Sequence, residues 1–176
     1  MSSKTLSVFL LAALAGCSPD KSDPTDDTGS SSETGSEQET GSDTAEAEPE
    51  IWTGPVMTFT KEDDADHTDP ANQDAITDLV VLTRTNQGSL INIVVEDDAT
   101  TSSPSGTEWA EGSTDAMEGL EFESLKAAAN NSMSSIPGKS YVLHLIEEDI
   151  FIDVTFLSWS SGGSAGGFSY ERSTRD

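Results

Sequence analysis

One stretch of this chain, KEDDADHTDPANQD at residues 61–74, concentrates oxygen-bearing side chains of the kind that bind calcium. Calcium takes about six to eight oxygen ligands from carboxylates, amides and carbonyls. These residues do not have the EF-hand spacing, so only the density of possible ligands supports a calcium site. The alternative is that these residues cap turns. Calcium is the one cofactor that we consider, with these ligands: Asp63, Asp64, Asp66, Asp69 and Asp74.

A second motif has the residue types of a nucleophilic site. GGSAG at residues 162–166 matches the G-x-S-x-G pattern of α/β-hydrolases, in which a helix follows the serine and the histidine comes later in the chain. Here a strand-like segment follows, and both His67 and His144 precede Ser164. Paired carboxylates suit glycoside hydrolysis, but acid pairs are too common in this chain to be specific. We therefore expect no catalytic residue and predict that the protein is not an enzyme.

Three tryptophans are the candidate ligand-binding residues. Exposed Trp52, Trp109 and Trp159 would stack on sugar rings, whereas buried ones would serve packing. Together with the acidic loop, they make a calcium-dependent carbohydrate-binding module the first alternative function. A secreted hydrolase that uses paired carboxylates is the second.

The single cysteine, Cys17, ends the segment MSSKTLSVFLLAALAGC. Lys4 precedes an apolar run from Leu6 to Ala13, which has the length of a signal-peptide core and is too short to span a bilayer. The end of this segment, Leu14-Ala15-Gly16-Cys17, resembles the lipobox of bacterial lipoproteins. The resemblance implies that residues 1–16 are removed and that Cys17 carries the lipid anchor. Ser18, in place of an inner-membrane retention aspartate, favours the outer membrane.

Charge divides the rest of the chain. The 176 residues include 33 acidic and 8 basic side chains, a formal net charge of −25, which argues against nucleic-acid partners because phosphate needs lysine and arginine. Residues 17–50 hold almost no large apolar side chain, and Thr-Gly-Ser recurs in them three times. Low hydrophobicity with like charge predicts a disordered acidic spacer after the lipidated cysteine.

From residue 51 to 176 the composition becomes that of a globular domain. Apolar and β-branched runs predict strands at 56–60, 79–83, 90–95, 141–146, 150–159 and 168–172, with one short helix within 121–133. Alternation in 150–159 places Ile152, Val154 and Phe156 on one face. The predicted fold is mainly β, a single β-sandwich or jelly-roll-like domain with at most one short helix.

A second resemblance covers residues 51–173. The segments IWTGPVMTFTK, NQDAIT and HLIEEDIFIDVTFLSWSSGGSAGGFSYERS resemble an uncharacterised secreted bacterial β-domain found in lipoproteins and large surface proteins. It implies an exported location and a β architecture, and no chemistry. The sequence therefore predicts an exported, membrane-anchored lipoprotein whose non-catalytic β domain has a structural, adhesive or ligand-binding role. Its expected partners are the membrane, through the lipid, and a glycan or envelope protein.

Overall fold

Nine β-strands provide most of the regular structure in a computed structural model, which describes residues 48–98, 103–161 and 165–176. The predicted signal segment, Cys17, most of the spacer and Ser164 lie outside these residues. In chain order the strands are β1 (Glu50–Trp52), β2 (Gly54–Lys61), β3 (Asp74–Ala75), β4 (Val81–Arg84), β5 (Leu90–Asn92), β6 (Thr107–Glu111), β7 (Ser140–Leu145), β8 (Ile150–Trp159) and β9 (Phe168–Thr174).

The larger sheet has the order β2-β9-β8-β7-β6, and β1 pairs in parallel with the first residues of β8. Neighbours β7, β8 and β9 are antiparallel and follow one another in sequence, as the short connections between them predict. Asp149 closes the turn at 146–149 with a φ of 51°, a left-handed conformation that aspartate tolerates. The Glu50 amide donates to the Asp149 carbonyl at 3.0 Å, so the chain enters β1 beside this turn.

The smaller sheet has the order β3-β4-β5 and shares one apolar core with the larger sheet. Leu82 and Leu90 come from the smaller sheet, and Ile152 and Phe156 come from β8. The predicted alternation of β8 is therefore confirmed. A register shift between Phe156 and Ser158 turns the strand so that the next aromatic side chain, Trp159, also packs against the core.

A buried ion pair joins the two sheets. The Arg172 guanidinium in β9 donates twice to the Asp74 carboxylate in β3, from Nε at 2.7 Å and from Nη2 at 2.8 Å. The Tyr170 hydroxyl donates to the same carboxylate at 2.6 Å. All three side chains are buried, and burial together with the neighbouring Asp74 charge raises the pKa of Tyr170 well above its ordinary value. Since β3 has only two residues, this cluster is the main reason for its position.

The predicted fold class, a mainly β sandwich-like domain with at most one short helix, is confirmed in the described residues. The helix α1 spans only Leu125–Ala128. It starts because the Ser124 side chain accepts a hydrogen bond from the Ala127 amide, and it ends before Asn130 and Asn131, which both have positive φ. Three short 3₁₀ helices, Pro70–Asn72, Thr114–Ala116 and Met133–Ser135, complete the described elements.

Candidate functional site

The first two candidate calcium ligands hold the turn after β2 against the start of β9. Asp63 Oδ1 accepts hydrogen bonds from the Ser160 hydroxyl and from the Gly167 amide, the latter at 3.1 Å. Only glycine fits at position 167, because the Cβ atom of any other residue would overlap the Asp63 carboxylate. The Asp64 amide donates to the Ala165 carbonyl at 2.7 Å. These contacts give both residues a place in loop packing.

The other acids of this loop cap its turns. Asp66 Oδ1 accepts from both the amide and the hydroxyl of Thr68, which lowers the pKa of this exposed carboxyl. Asp69 Oδ1 accepts from the Ala71 amide at 2.9 Å and starts a 3₁₀ helix. Within residues 48–98, 103–161 and 165–176, no three His, Cys, Asp or Glu side chains converge as a metal site would need. The arrangement favours the turn-capping interpretation, and calcium binding stays an untested prediction.

The tryptophans take packing positions in the described domain. Trp109 is fully buried, and its Nε1 donates to Thr107 Oγ1 at 3.1 Å. Trp52 is 7% exposed and donates to Glu50 Oε1. Trp159 packs against the core, and the Arg84 guanidinium lies over its ring, with the guanidinium carbon 3.8 Å from the ring centroid. This placement favours packing over sugar stacking.

Two buried cations near Trp159 were not singled out from the sequence. Arg84 donates to three backbone carbonyls, those of Gly88, Ser160 and Gly167, at 3.0 to 3.2 Å. Burial lowers the pKa of Arg84 to about 10. Lys61 Nζ lies 3.5 Å from the Gly166 carbonyl, and burial, followed by the charge of Arg84, lowers its pKa. Both side chains fix the chain around the β8–β9 connection.

His144 lies between two carboxylates and does not resemble a free catalytic base. Its Nδ1 is 2.9 Å from Glu108 Oε1, and its Nε2 is 3.0 Å from Asp149 Oδ1. The ring also stacks on Phe151, with the two planes 3° apart and the centroids 4.1 Å apart. Each ring nitrogen therefore already has an acceptor, and both can donate only in the imidazolium form.

A cavity of about 300 Å³ opens on the larger sheet beside β1, β8 and β9. Asp153 contributes to its lining, and both of its carboxylate oxygens accept from Thr114, one from the amide at 2.8 Å and one from the hydroxyl at 2.6 Å. The other acids of this cavity are Asp115 and Glu171. Both carboxylate oxygens of Asp153 therefore hold the Thr114–Ala116 turn, which gives this side chain a structural role.

A groove with a largely apolar lining lies beside the turn before β8, where four loops meet. We call it the apolar groove. Its volume is about 240 Å³, and it is lined by Leu79, Val80, Asn92, Val94, Val95, Ser105, Gly106, Glu147 and Glu148. Leu79, Val94 and Val95 are 43%, 48% and 66% exposed. Exposed apolar side chains that cluster in a concavity are typical of a binding surface.

Asn92 organises the apolar groove from beneath. Its side-chain amide donates to the carbonyls of Leu79 at 2.8 Å and Ser105 at 3.0 Å. Its Oδ1 accepts from the amides of Val81 at 3.0 Å and Val94 at 3.3 Å. Asn92 is only 2% exposed, so these four bonds replace water and hold three loops in one arrangement.

Two further contacts extend this network. Glu96 Oε2 accepts from the backbone amides of Asn92 at 2.7 Å and Ser105 at 2.9 Å. On the opposite wall, the Thr77 hydroxyl donates to Glu148 Oε2 at 2.9 Å and joins the turn before β4 to the turn before β8. The exposed valines therefore stand on a preorganised framework.

The rim of the apolar groove is acidic. Glu147 and Glu148 are part of its wall, and the exposed Asp78 and Asp97 occur beside its apolar residues in sequence. None of the described residues that line the groove is lysine or arginine. An apolar floor with negative edges therefore faces solvent at this end of the domain.

The chain matches no protein-family model, no curated protein and no solved structure. In the part of the chain that the structure describes, no helix has the length and apolar character needed to cross a bilayer.

Proposed function

We propose that this protein is a lipid-anchored lipoprotein of the bacterial cell envelope, and that its β domain is a non-catalytic module that binds another molecule through the apolar groove. The observation that carries the binding role is the set of exposed apolar side chains held in place by the fully bonded Asn92 amide. A fold gains no stability from leaving valine and leucine in water, so their ordered exposure favours recognition.

The sequence of the first segment supports the anchor. A short apolar run followed by Leu14-Ala15-Gly16-Cys17 has the order of charge, apolar core and cysteine found in lipoprotein signals. A second acyl chain makes membrane attachment stable, since each buried methylene contributes about 0.8 kcal/mol. The acidic residues after Cys17 would then separate the domain from a negatively charged membrane surface.

Metabolic labelling tests the anchor directly. The full chain is expressed in a Gram-negative host with radiolabelled palmitate, beside Cys17→Ala and the control Ser18→Ala. We expect label in the wild-type chain and in the control, and none in Cys17→Ala, which should also leave the membrane fraction. Label that persists in Cys17→Ala, or wild-type chain without label, would contradict the anchor.

A further inference from the structure

The size of the apolar groove limits what it can accept. Pockets for small molecules have volumes of roughly 300–1,000 Å³ and bury most of the ligand. At about 240 Å³ the apolar groove lies below this range, and its most exposed wall residue, Val95, projects at the edge. Such a space fits one or two aliphatic side chains of a larger partner rather than a whole cofactor or oligosaccharide.

The acidic wall of the groove indicates the charge of its partner. Glu147 and Glu148 stand at the wall, and the chain carries a net charge of −25. A second copy of this chain would bring the same excess of negative charge to the contact. The spacer is a poor occupant for the same reason, because Lys21 is its only basic residue among many acids. Electrostatic complementarity therefore favours a positively charged partner.

The framework under the groove favours a short segment. Asn92, Glu96 and Thr77 fix the loops before anything binds, so little ordering cost falls on this domain. Ile146 is 51% exposed, and its amide donates to the carbonyl of Gly106, which lies in the groove wall. This backbone bond joins the turn before β8 to the Gly106 wall of the groove.

We infer that the apolar groove binds a protein segment in which one or two aliphatic side chains are flanked by lysine or arginine. The aliphatic side chains enter between Leu79 and Val95, and the basic side chains lie near Glu147 and Glu148. This inference rests on the proposed function, since it names the partner class of the same groove. It does not depend on the lipid anchor.

The test uses the purified full chain and a fluorescent peptide, KKLVLKK, followed by fluorescence anisotropy at low and at physiological salt. We expect saturable binding that weakens with salt. Two comparison peptides separate the contributions: EELVLEE should not bind, because its charges match those of the rim, and KKAAAKK should bind at least about tenfold more weakly, because its side chains do not fill the groove.

A matched pair of variants locates the binding. Val95 and Val56 are both 66% exposed, and only Val95 lies in the apolar groove. Val95→Glu should weaken KKLVLKK binding about tenfold or more, whereas Val56→Glu should change it less than about twofold. Glu147→Lys should weaken binding and its salt dependence more than Glu118→Lys, an equal charge change at an exposed site outside the groove.

Several outcomes would overturn the inference. Equal losses in Val95→Glu and Val56→Glu would mean that binding is not specific to the apolar groove, and equal gains would mean that the added negative charge alone attracts the peptide. Unchanged binding in Val95→Glu would place the contact elsewhere. Sedimentation that shows a wild-type dimer and a Val95→Glu monomer would make a second copy the occupant. Failure of Cys17 labelling would leave these measurements unaffected, so the anchor and the partner class are tested separately.

Discussion

Asn92→Asp is the sharpest single test of the framework beneath the apolar groove. The introduced carboxylate can still accept from the amides of Val81 and Val94, but it cannot donate to the carbonyls of Leu79 and Ser105. Each lost hydrogen bond costs about 0.5–1.5 kcal/mol. A negative charge also becomes buried against two carbonyl oxygens and close to Glu96. We expect the free energy of unfolding at pH 7 to fall by about 3 kcal/mol or more.

The matched control is Asn72→Asp. The Asn72 amide donates a single bond, to the Asp66 carbonyl at 2.9 Å, in an exposed turn. This substitution should cost no more than about 1 kcal/mol. Urea unfolding of the wild-type chain and of both variants measures the difference, with the summed fluorescence of Trp52, Trp109 and Trp159, which all pack in or against the core, as the signal.

The pH dependence gives a second reading of the same variant. Burial should raise the pKa of the introduced carboxyl at position 92 above its unfolded value of about 3.9. The cost of burying the ionised carboxyl is then complete at a pH above its pKa in the folded state. This cost disappears as the pH falls below its pKa in the unfolded state. The deficit relative to wild type should therefore shrink between pH 7 and about pH 4.5. A deficit equal to that of Asn72→Asp at pH 7, or one that does not change with pH, would refute the reasoning.

The remaining predictions concern the ion pair, an unpaired hydroxyl and calcium. Asp74→Ala leaves the Arg172 guanidinium buried without its partner and should lower the free energy of unfolding by about 3–5 kcal/mol. Asp74→Leu combined with Arg172→Met should recover most of that loss. Urea unfolding measures both, and equal losses of unfolding free energy in the single and the double variant would contradict the prediction. The hydroxyl of the buried Tyr141 has no hydrogen-bond partner in the described structure, so Tyr141→Phe should raise the free energy of unfolding by about 1 kcal/mol. Burial, with Glu111 adding to it, raises the pKa of Tyr141 to about 12. Wild type should therefore lose up to about 2 kcal/mol relative to Tyr141→Phe between pH 10 and 12, because the unfolded hydroxyl ionises at lower pH than the folded one. A constant difference between the two chains would argue against this. Asp66 and Asp69 cap turns, Asp63 holds Gly167, and Asp74 pairs with Arg172, so millimolar calcium should move the melting temperature by less than about one degree. A rise of several degrees that EDTA reverses would restore the calcium site.

The strands that the sequence predicted are those with runs of apolar and β-branched residues, such as β4, β5, β7, β8 and β9. β8 is the clearest, since Ile152, Val154 and Phe156 all face the core. β6 went unrecognised because its two glutamates flank Trp109 and hide the apolar pattern. β3 had no local signal, because Asp74 is held by Arg172, which is far away in sequence.

The apolar groove was beyond the reach of sequence reasoning for a related reason. Its walls come from loops at residues 79–80, 92–95, 105–106 and 147–148, which share no spacing pattern. Asn92 follows Leu90 and Ile91, and asparagine at such a position is typical of an ordinary turn. The pairing of β4 with β5 brings Leu79 close to the Asn92 side chain, and only the packing of the two sheets adds Ser105, which precedes β6.

The parallel pairing of β1 with β8 has a mechanical consequence. The chain before β1 enters beside the turn at 146–149, where Glu50 is bonded to Asp149, and the apolar groove begins at Glu147 in the same turn. Tension between an anchor at the N-terminal side and a partner in the groove would pass through β1, the start of β8 and this turn. Because β1 would be drawn along its own axis, its three paired residues would resist in shear together. Because Leu79 and Val95 belong to loops of the smaller sheet, part of the load would reach that sheet as well, through the hydrogen bond between Thr77 and Glu148.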